Sequence, residues 1–312
     1  MSNLAGISIG HATDEEAKTG CTVFLCPEGT IGGIDVRGPA PGSRETEILS
    51  PLKPITTINA VLLTGGAAFG LGAADGVVKY LAERNIGHPT IMRPVPIVSA
   101  AVVNDMLMSG GEKPPTASLG YQTCIAASEN DPDQGNIGAG RGTTVGKWSG
   151  FESMMKGGFG LAKNNVEELC VIAAAVTNCV GDILDVDGSV LAGARSIDGL
   201  WLVDKDRFRR FPPFPPRSRG DNTTLVVVAT NATLDKVEAN RLAQRVHDGM
   251  AVAVRPVHTS YDGDTSFALA TCSVEAPFDL VANVAAETVA EAIRNSVRFA
   301  QSVDNIPGLL DA

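Results

Sequence analysis

The residues with the clearest chemical opportunity are Asn222-Thr223-Thr224, which stand where a proline-rich stretch gives way to the apolar run Thr224–Thr230 (TLVVVAT). A hydroxyl at the first position of a buried strand sits at the end of a rigid element. There it can attack the carbonyl that precedes it: the chain shifts from amide to ester, water cleaves the ester, and the freed α-amino group becomes the hydroxyl's general base. An α-amine titrates near pH 7.7–8.0, close to working pH, so this chemistry needs no separate histidine. Taken alone, the same triplet also fits a threonine chosen for its β-propensity. A second chemistry is written at His258, Asp262 and Asp264, which are sequence neighbours of metal-ligand type and keep a metal hydrolase open as a competing reading. Asp262-Gly263-Asp264 further fits a plain polar turn, because Asp-Gly is a strong turn signal.

These residues need elements to hold them. Asn59–Leu63 (NAVLL) is a short apolar strand that enters the turn Thr64-Gly65-Gly66, and a helix follows with Phe69, Ala73, Val77, Tyr80 and Leu81 at helical spacing. Leu169–Val176 (LCVIAAAV) and Thr224–Thr230 are continuous apolar runs, as expected of central strands covered on both faces. Ser266–Cys272 (SFALATC) is another strand. One amphipathic helix runs from about Thr233 to Val254, with Leu234, Val237, Leu242 and Val246 inward. A second runs from Phe278 to Phe299, with Val281, Val284, Val289 and Ile293 inward. Phe211 to Asn222 carries four prolines, which fix φ and remove ladder donors, so it is a loop.

Six segments in order then carry a resemblance: GIDVRGPAPGSRETEIL, LLTGGAAFGLGAADGV, NIGAGRGTTVGK, VTNCVGD, DNTTLVVVATNA and RPVHTSYDGDTSFALAT. Over nearly its whole length the chain resembles the L-aminopeptidase/D-amidase/D-esterases and β-peptidyl aminopeptidases (the S58-like peptidases), a family that includes the nylon oligomer hydrolases. The resemblance implies an α+β fold, an αββα sandwich of the N-terminal-nucleophile type. It also implies one domain over residues 1–312, self-cleaved into an α chain 1–222 and a β chain 223–312 that stay together. Thr223 matches the family nucleophile. Asp262 and Asp264 match the acidic or hydroxyl positions that orient it, in the two-aspartate pattern of the nylon-hydrolase branch. One carboxylate can hold the ammonium that forms while the other positions the hydroxyl. Lys147 matches a lysine near the nucleophile and Asn178 an asparagine that donates to the tetrahedral oxyanion. Without the family, they would be a solvated lysine and a turn asparagine. Asn104 falls where an aromatic pocket residue belongs and is taken as substrate-binding. The substrate implied is a small amide: a short peptide or β-peptide, an amino-acid amide or a 6-aminohexanoate oligomer. No metal or organic cofactor is implied, and a homotetramer is. The non-enzymatic alternative is an uncleaved relative acting as a binding or assembly module.

Other motifs fail on inspection. GTTVGKW lacks a phosphate-loop glycine at Arg141 and has Trp148 where Ser or Thr belongs. Gly70-x-Gly72 is followed by glycine only at 76, which breaks the dinucleotide pattern. ILDVDGS would start a calcium loop on Ile183 and end it on Ala194. His11, His88 and His247 have no partner pattern, and His247-Asp248 fits a surface or capping pair. With 312 residues, 44% apolar, the chain can bury a large core. A net charge of −10 with no Lys/Arg block argues against nucleic acid as a partner. No apolar run approaches a membrane span, and the start lacks a secretory pattern, so a cytoplasmic protein is expected. Six cysteines without CxxC spacing fit small core residues.

Overall fold

The chain is described by a computed structural model over residues 5–196, 198–202 and 222–311. The proline-rich loop expected at 211–221 lies outside the described residues. The first part of the chain forms β1 (Ser8–Asp14), β2 (Thr19–Leu25), β3 (Ile31–Val36), β4 (Ser43–Arg44) and β5 (Ala60–Thr64). Helices α1 (Ala67–Gly70) and α2 (Ala74–Ala82), strand β6 (Val98–Val102) and helices α3 (Met106–Ser109) and α4 (Ala117–Ile125) follow. The middle contributes β7 (Thr144–Val145), β8 (Met155–Lys156), β9 (Phe159–Val166), β10 (Leu169–Asn178), β11 (Asp182–Leu184) and β12 (Val190–Ala192). The last part is β13 (Thr223–Ala232), α5 (Lys236–Ala253), β14 (Val254–Arg255), β15 (Thr265–Val274) and α6 (Phe278–Arg298).

Two five-stranded sheets, ordered β1-β2-β5-β6-β4 and β3-β15-β13-β10-β9, form the two inner layers. The alternation of side chains along each strand explains the layering. Leu225, Val227 and Ala229 of β13 and Ile172, Ala174 and Val176 of β10 join Val61 and Leu63 of β5 in one core between the sheets. Val226 and Val228, one residue out of phase, pack with Leu242, Val246, Val281, Val289 and Ile293 of α5 and α6 on the outer face. On the far side, Ala60 and Leu62 meet Val77 and Leu81 of α2. The result is helices, sheet, sheet, helices: the αββα sandwich. It also accounts for the unbroken apolar runs of β10 and β13, since both faces of each strand are covered. Among the described residues no helix is long and apolar enough to cross a membrane.

Two readings made from periodicity do not hold: Phe69 in one helical series with Ala73, Val77, Tyr80 and Leu81, and Val237 inward. Phe69 is 70% exposed, because the helix is not continuous: a 3₁₀ turn at Leu71–Ala73 separates α1 from α2. With about three residues per turn it rotates the later face away from the earlier one. Ala73, Val77 and Leu81 go inward while Phe69 does not, and Tyr80 is half-buried, edge-on to Tyr121. Val237 is 56% exposed because α5 starts only at Lys236, after an Asp235–Glu238 capping box. The Glu238 N–H donates to Asp235 at 2.8 Å and the Asp235 N–H donates to Glu238 at 2.9 Å, which puts Val237 in the solvent-facing first turn. Of the cysteines, Cys21, Cys124 and Cys179 are buried, the other three are half-buried, and all six are free.

Candidate active site

Strand direction gathers the chemistry. β13 and β15 are parallel, with Leu225 opposite Thr265, so their starting ends lie side by side. β10 is antiparallel to β13 and pairs Asn178 with Thr223, which brings its closing end to the same edge. Thr223 therefore stands between Asn178 on one neighbour and the Asp262–Asp264 loop on the other, where Asn222 bridges Asp262. All five residues are at least 97% buried.

The peptide bond before Thr223 is held closely. The Thr223 hydroxyl donates to the Asn222 carbonyl oxygen at 2.5 Å, and the Gly263 N–H donates to that same oxygen at 2.8 Å. Gly263 has to be glycine for this approach: a Cβ there would lie 2.9 Å from Thr223 Oγ and 2.5 Å from the Ala40 carbonyl oxygen. The loop is also clamped from behind, by the Arg37 and Gly38 N–H groups on the Asp264 carbonyl and the Ala40 N–H on the Asp262 carbonyl. A Cβ at Gly38 would fall 2.1 Å from the Asp264 nitrogen, which gives the glycine in the early segment GIDVRGPAPG its reason.

The two carboxylates have different surroundings. Asp264 accepts from the Thr224 N–H at 2.6 Å on Oδ1, and from the His258 N–H at 3.1 Å and Nδ1 at 2.7 Å on Oδ2. Asp262 accepts on Oδ2 from the Thr259 N–H at 2.8 Å and hydroxyl at 2.6 Å, while its buried Oδ1 has no hydrogen-bond partner. Burial, followed by the nearby charge of Asp264, pushes Asp262 up to about 7. Of the three residues grouped by sequence as possible metal ligands, His258 and Asp264 thus bond to each other, while Asp262 bonds to Thr259. Among the described residues no three His, Cys, Asp or Glu side chains converge to hold a metal ion.

Lys147 lies in a tight turn after Gly146, whose φ of +71° is left-handed. Far from being solvated, its ammonium donates to the Asn178 carbonyl at 3.1 Å and to Asn178 Oδ1 at 2.9 Å. The Thr144 N–H also donates to Oδ1, at 3.0 Å, and Asn178 Nδ2 donates to the Asn104 carbonyl at 2.9 Å. Lys156, unmarked in the sequence, donates to the carbonyls of Arg141 at 3.0 Å and Thr143 at 2.7 Å, and so ties down the segment leading to Lys147. Full burial lowers it to about 7.

Two cavities meet at Asn104. One, about 210 Å³, is walled by Ala40, Pro41, Gly42, Ala67, Ala68 and Val102 and reaches Thr223. The other, about 250 Å³, runs past Met106, Leu107 and Phe151 to Lys147 and Asn178. The wall residues Ala40–Gly42 and Ala67–Ala68 lie in segments singled out by the resemblance, yet their small or cyclic side chains carry no chemical signal of a site. Gly263 and Thr259 were equally silent, and His258 was marked only as a possible metal ligand and not as the partner of Asp264. The nearest sequence cue was their adjacency to Asp262 and Asp264.

Comparison with known proteins identifies the family and the fold. The sequence profile of peptidase family S58 matches residues 1–309. A Mycobacterium leprae protein described as an uncharacterized aminopeptidase is 36% identical, spanning 98% of this chain and 92% of its own. The 6-aminohexanoate-oligomer endohydrolase of Paenarthrobacter ureafaciens is 33% identical over 88% of this chain and 76% of its own. Two solved structures share the fold. The L-aminopeptidase D-Ala-esterase/amidase of Ochrobactrum anthropi, described as a variant among the Ntn hydrolase fold, gives a TM-score of 0.74 at 19% identity, over 98% of this chain and 87% of that one. A Burkholderia sp. beta-aminopeptidase gives 0.73 at 21%, over 99% and 90%. With the full-length profile match and relatives above 30% identity, the chain belongs to peptidase family S58 and is an amide-bond hydrolase.

Proposed function

We propose that the protein cuts its own backbone between Asn222 and Thr223, and that Thr223 then serves as nucleophile and base in hydrolysing small amides. The observation that carries this reading is the Thr223 hydroxyl 2.5 Å from the Asn222 carbonyl oxygen, with the Gly263 N–H on the same atom. As Oγ bonds to the Asn222 carbon, the carbonyl oxygen becomes an oxyanion and the Gly263 N–H stabilises it. The Thr223 nitrogen leaves, an ester links Asn222 to Oγ, and water hydrolyses it to a carboxylate and a free α-amine. After the cut β13 keeps its ladder to β10 and β15 its ladder to β3, each joining one chain to the other, which supports chains 1–222 and 223–312 remaining together.

In turnover, Oγ attacks the substrate carbonyl and the α-amine takes its proton and passes it to the departing amine. Water then clears the acyl ester. Asp264, bonded to the peptide immediately after the nucleophile, positions Thr223, and Asp262 stands by to pair with the ammonium. Lys147 and Asn178 supply cation and amide to the developing charge. Substrate enters along the cavities that Asn104 borders. The nylon-oligomer relative and the aminopeptidase relatives support short peptides, amino-acid amides and 6-aminohexanoate oligomers as the class. By family resemblance the proposal extends to a cytoplasmic homotetramer.

Before the cut Thr223 has no free α-amine, so another base takes the first proton, and Asp262, held at about 7 beside Asn222, is the group assigned to it here. Self-cleavage should accelerate as pH rises through about 7 and level off above it; Asp262→Asn should be slow and flat across the same range. The linkage to stability has the opposite sense. A carboxyl raised from 3.8 to about 7 favours the fold at low pH, and that contribution fades as pH climbs between those values. Urea midpoints measured across that window check it, and an unchanged pH profile in Asp262→Asn would remove Asp262 as the proton acceptor.

Gly263→Ala tests the oxyanion contact. Its Cβ would press on Thr223 Oγ and on the Ala40 carbonyl, so cleavage should slow by about 100-fold, the cost of a misplaced reacting group. A time course on denaturing gels reads this directly, and cleavage at the normal rate would remove the contact from the mechanism.

A further inference from the structure

We propose that His258 is the positioning residue of Asp264, fixing the carboxylate's orientation at the start of β13 for the Thr223 reaction proposed above. The backbone at His258 has φ +52°, in the left-handed region that residues other than glycine rarely adopt. That conformation turns its own N–H and its ring Nδ1 onto one atom, Asp264 Oδ2, at 3.1 and 2.7 Å. The other oxygen, Oδ1, is then left facing the Thr224 N–H at 2.6 Å. A carboxylate gripped on one oxygen by two donors from a single residue cannot rotate without breaking both. Its remaining oxygen therefore keeps a fixed line to the peptide adjoining the nucleophile.

The ring itself is held by packing. His258 Nε2 is buried and has no hydrogen-bond partner, so that side of the ring is not set by a hydrogen bond. Against it stands His247 of α5, edge-on, with ring centroids 4.8 Å apart and planes at 69°. His247 is anchored in turn, with Nε2 3.1 Å from the Ser266 hydroxyl and 3.3 Å from both the Asp35 carbonyl and an Asp35 carboxylate oxygen. Burial, and then His258 itself, lowers His247 to about 4, so it is a neutral wedge at neutral pH. Asp35 of β3 and Arg37 just beyond are the charged groups behind it. The order of support is Asp35 and Ser266, His247, His258, Asp264, Thr224.

The inference rests on self-cleavage at Thr223, so the protein is its own substrate in the test. Freshly synthesised full-length chain is followed by intact mass for four variants, with melting temperature measured on each: His258→Ala, His258→Asn, His258→Leu and Thr223→Ala. Asparagine can place an amide N–H where Nδ1–H stood; leucine fills the space without a donor. His258→Ala and His258→Leu should cleave about 100-fold more slowly than the parent. His258→Asn should recover to within about tenfold of the parent while melting no higher than His258→Leu. Equal rates in His258→Asn and His258→Leu would reduce His258 to a packing residue and overturn the proposal, as would parental cleavage in His258→Ala. The Asn–Leu pair decides the matter even where the alanine variant does not fold. If Thr223→Ala still cleaves, the nucleophile reading has failed; if it stays intact and the His258 variants cleave normally, only the His258 assignment has.

Discussion

Thr223→Ala yields one uncut chain on a denaturing gel after long incubation, and its amide hydrolysis falls by about 10⁴–10⁶-fold. In the proposed mechanism one residue supplies both the attacking oxygen and, once cut, the base, so a single substitution removes two functions that other hydrolases divide between side chains. The fold should tolerate the change. Thr223 begins β13 rather than crossing its centre, and its hydroxyl contacts the Asn222 carbonyl, not a core group. Deleting it leaves the apolar layers on both faces of β13 intact. Thr223→Ser is the informative companion, since it keeps the hydroxyl and should still be cut. Residual cleavage in the alanine variant at the parental rate would mean another group attacks Asn222.

Asp264→Asn should have the next largest effect, slowing self-cleavage by about 100- to 1,000-fold, the scale of losing one preorganised polar contact at a reacting centre. The carboxylate accepts on both oxygens, from Thr224 on one and His258 on the other. An asparagine offers one oxygen and one amino group, so whichever way it turns an N–H donor meets another N–H donor. At 1% exposure water cannot relieve that conflict. The melting temperature should therefore fall too, and the kinetic effect has to be read well below it. Asp264→Glu keeps both acceptors but displaces them, and should fold better than it cleaves. Normal cleavage and turnover in Asp264→Asn would take Asp264 out of the site.

Much of the scaffold was legible because it is written in hydrophobic period. The runs at 169–176 and 224–230 could only be strands covered on both sides, and they became β10 and β13, with opposite faces feeding two cores. The start of β13 at Thr223 followed from a change in composition, prolines on one side and β-branched residues on the other, whereas the nucleophile role proposed for Thr223 came from the family resemblance. The phase of individual helical residues was less secure: a 3₁₀ turn displaced Phe69 and a capping box displaced Val237. The Asp235–Glu238 spacing was a sequence signal for the latter.

The site was legible as residue types more than as contacts. Thr223, Asp262, Asp264, Lys147 and Asn178 are brought to one strand edge, but their partners depend on features a linear chain hides. The grip of His258 on Asp264 needs a left-handed backbone at a residue that does not advertise it. The Gly263 contact needs parallel strands whose ends align. Lys147 could be told from a surface lysine only through its neighbours, because burial and the Asn178 bonds come from folding.

The central claim is tested most directly by the intact mass of the purified protein under denaturing conditions, with N-terminal sequencing of the smaller species. The account predicts two masses that sum to the whole chain plus one water, and a fragment that begins Thr-Thr-Leu-Val-Val, residues 223–227. A single full-length mass that persists through long incubation at pH 8, or a cut at any other peptide bond, would contradict it.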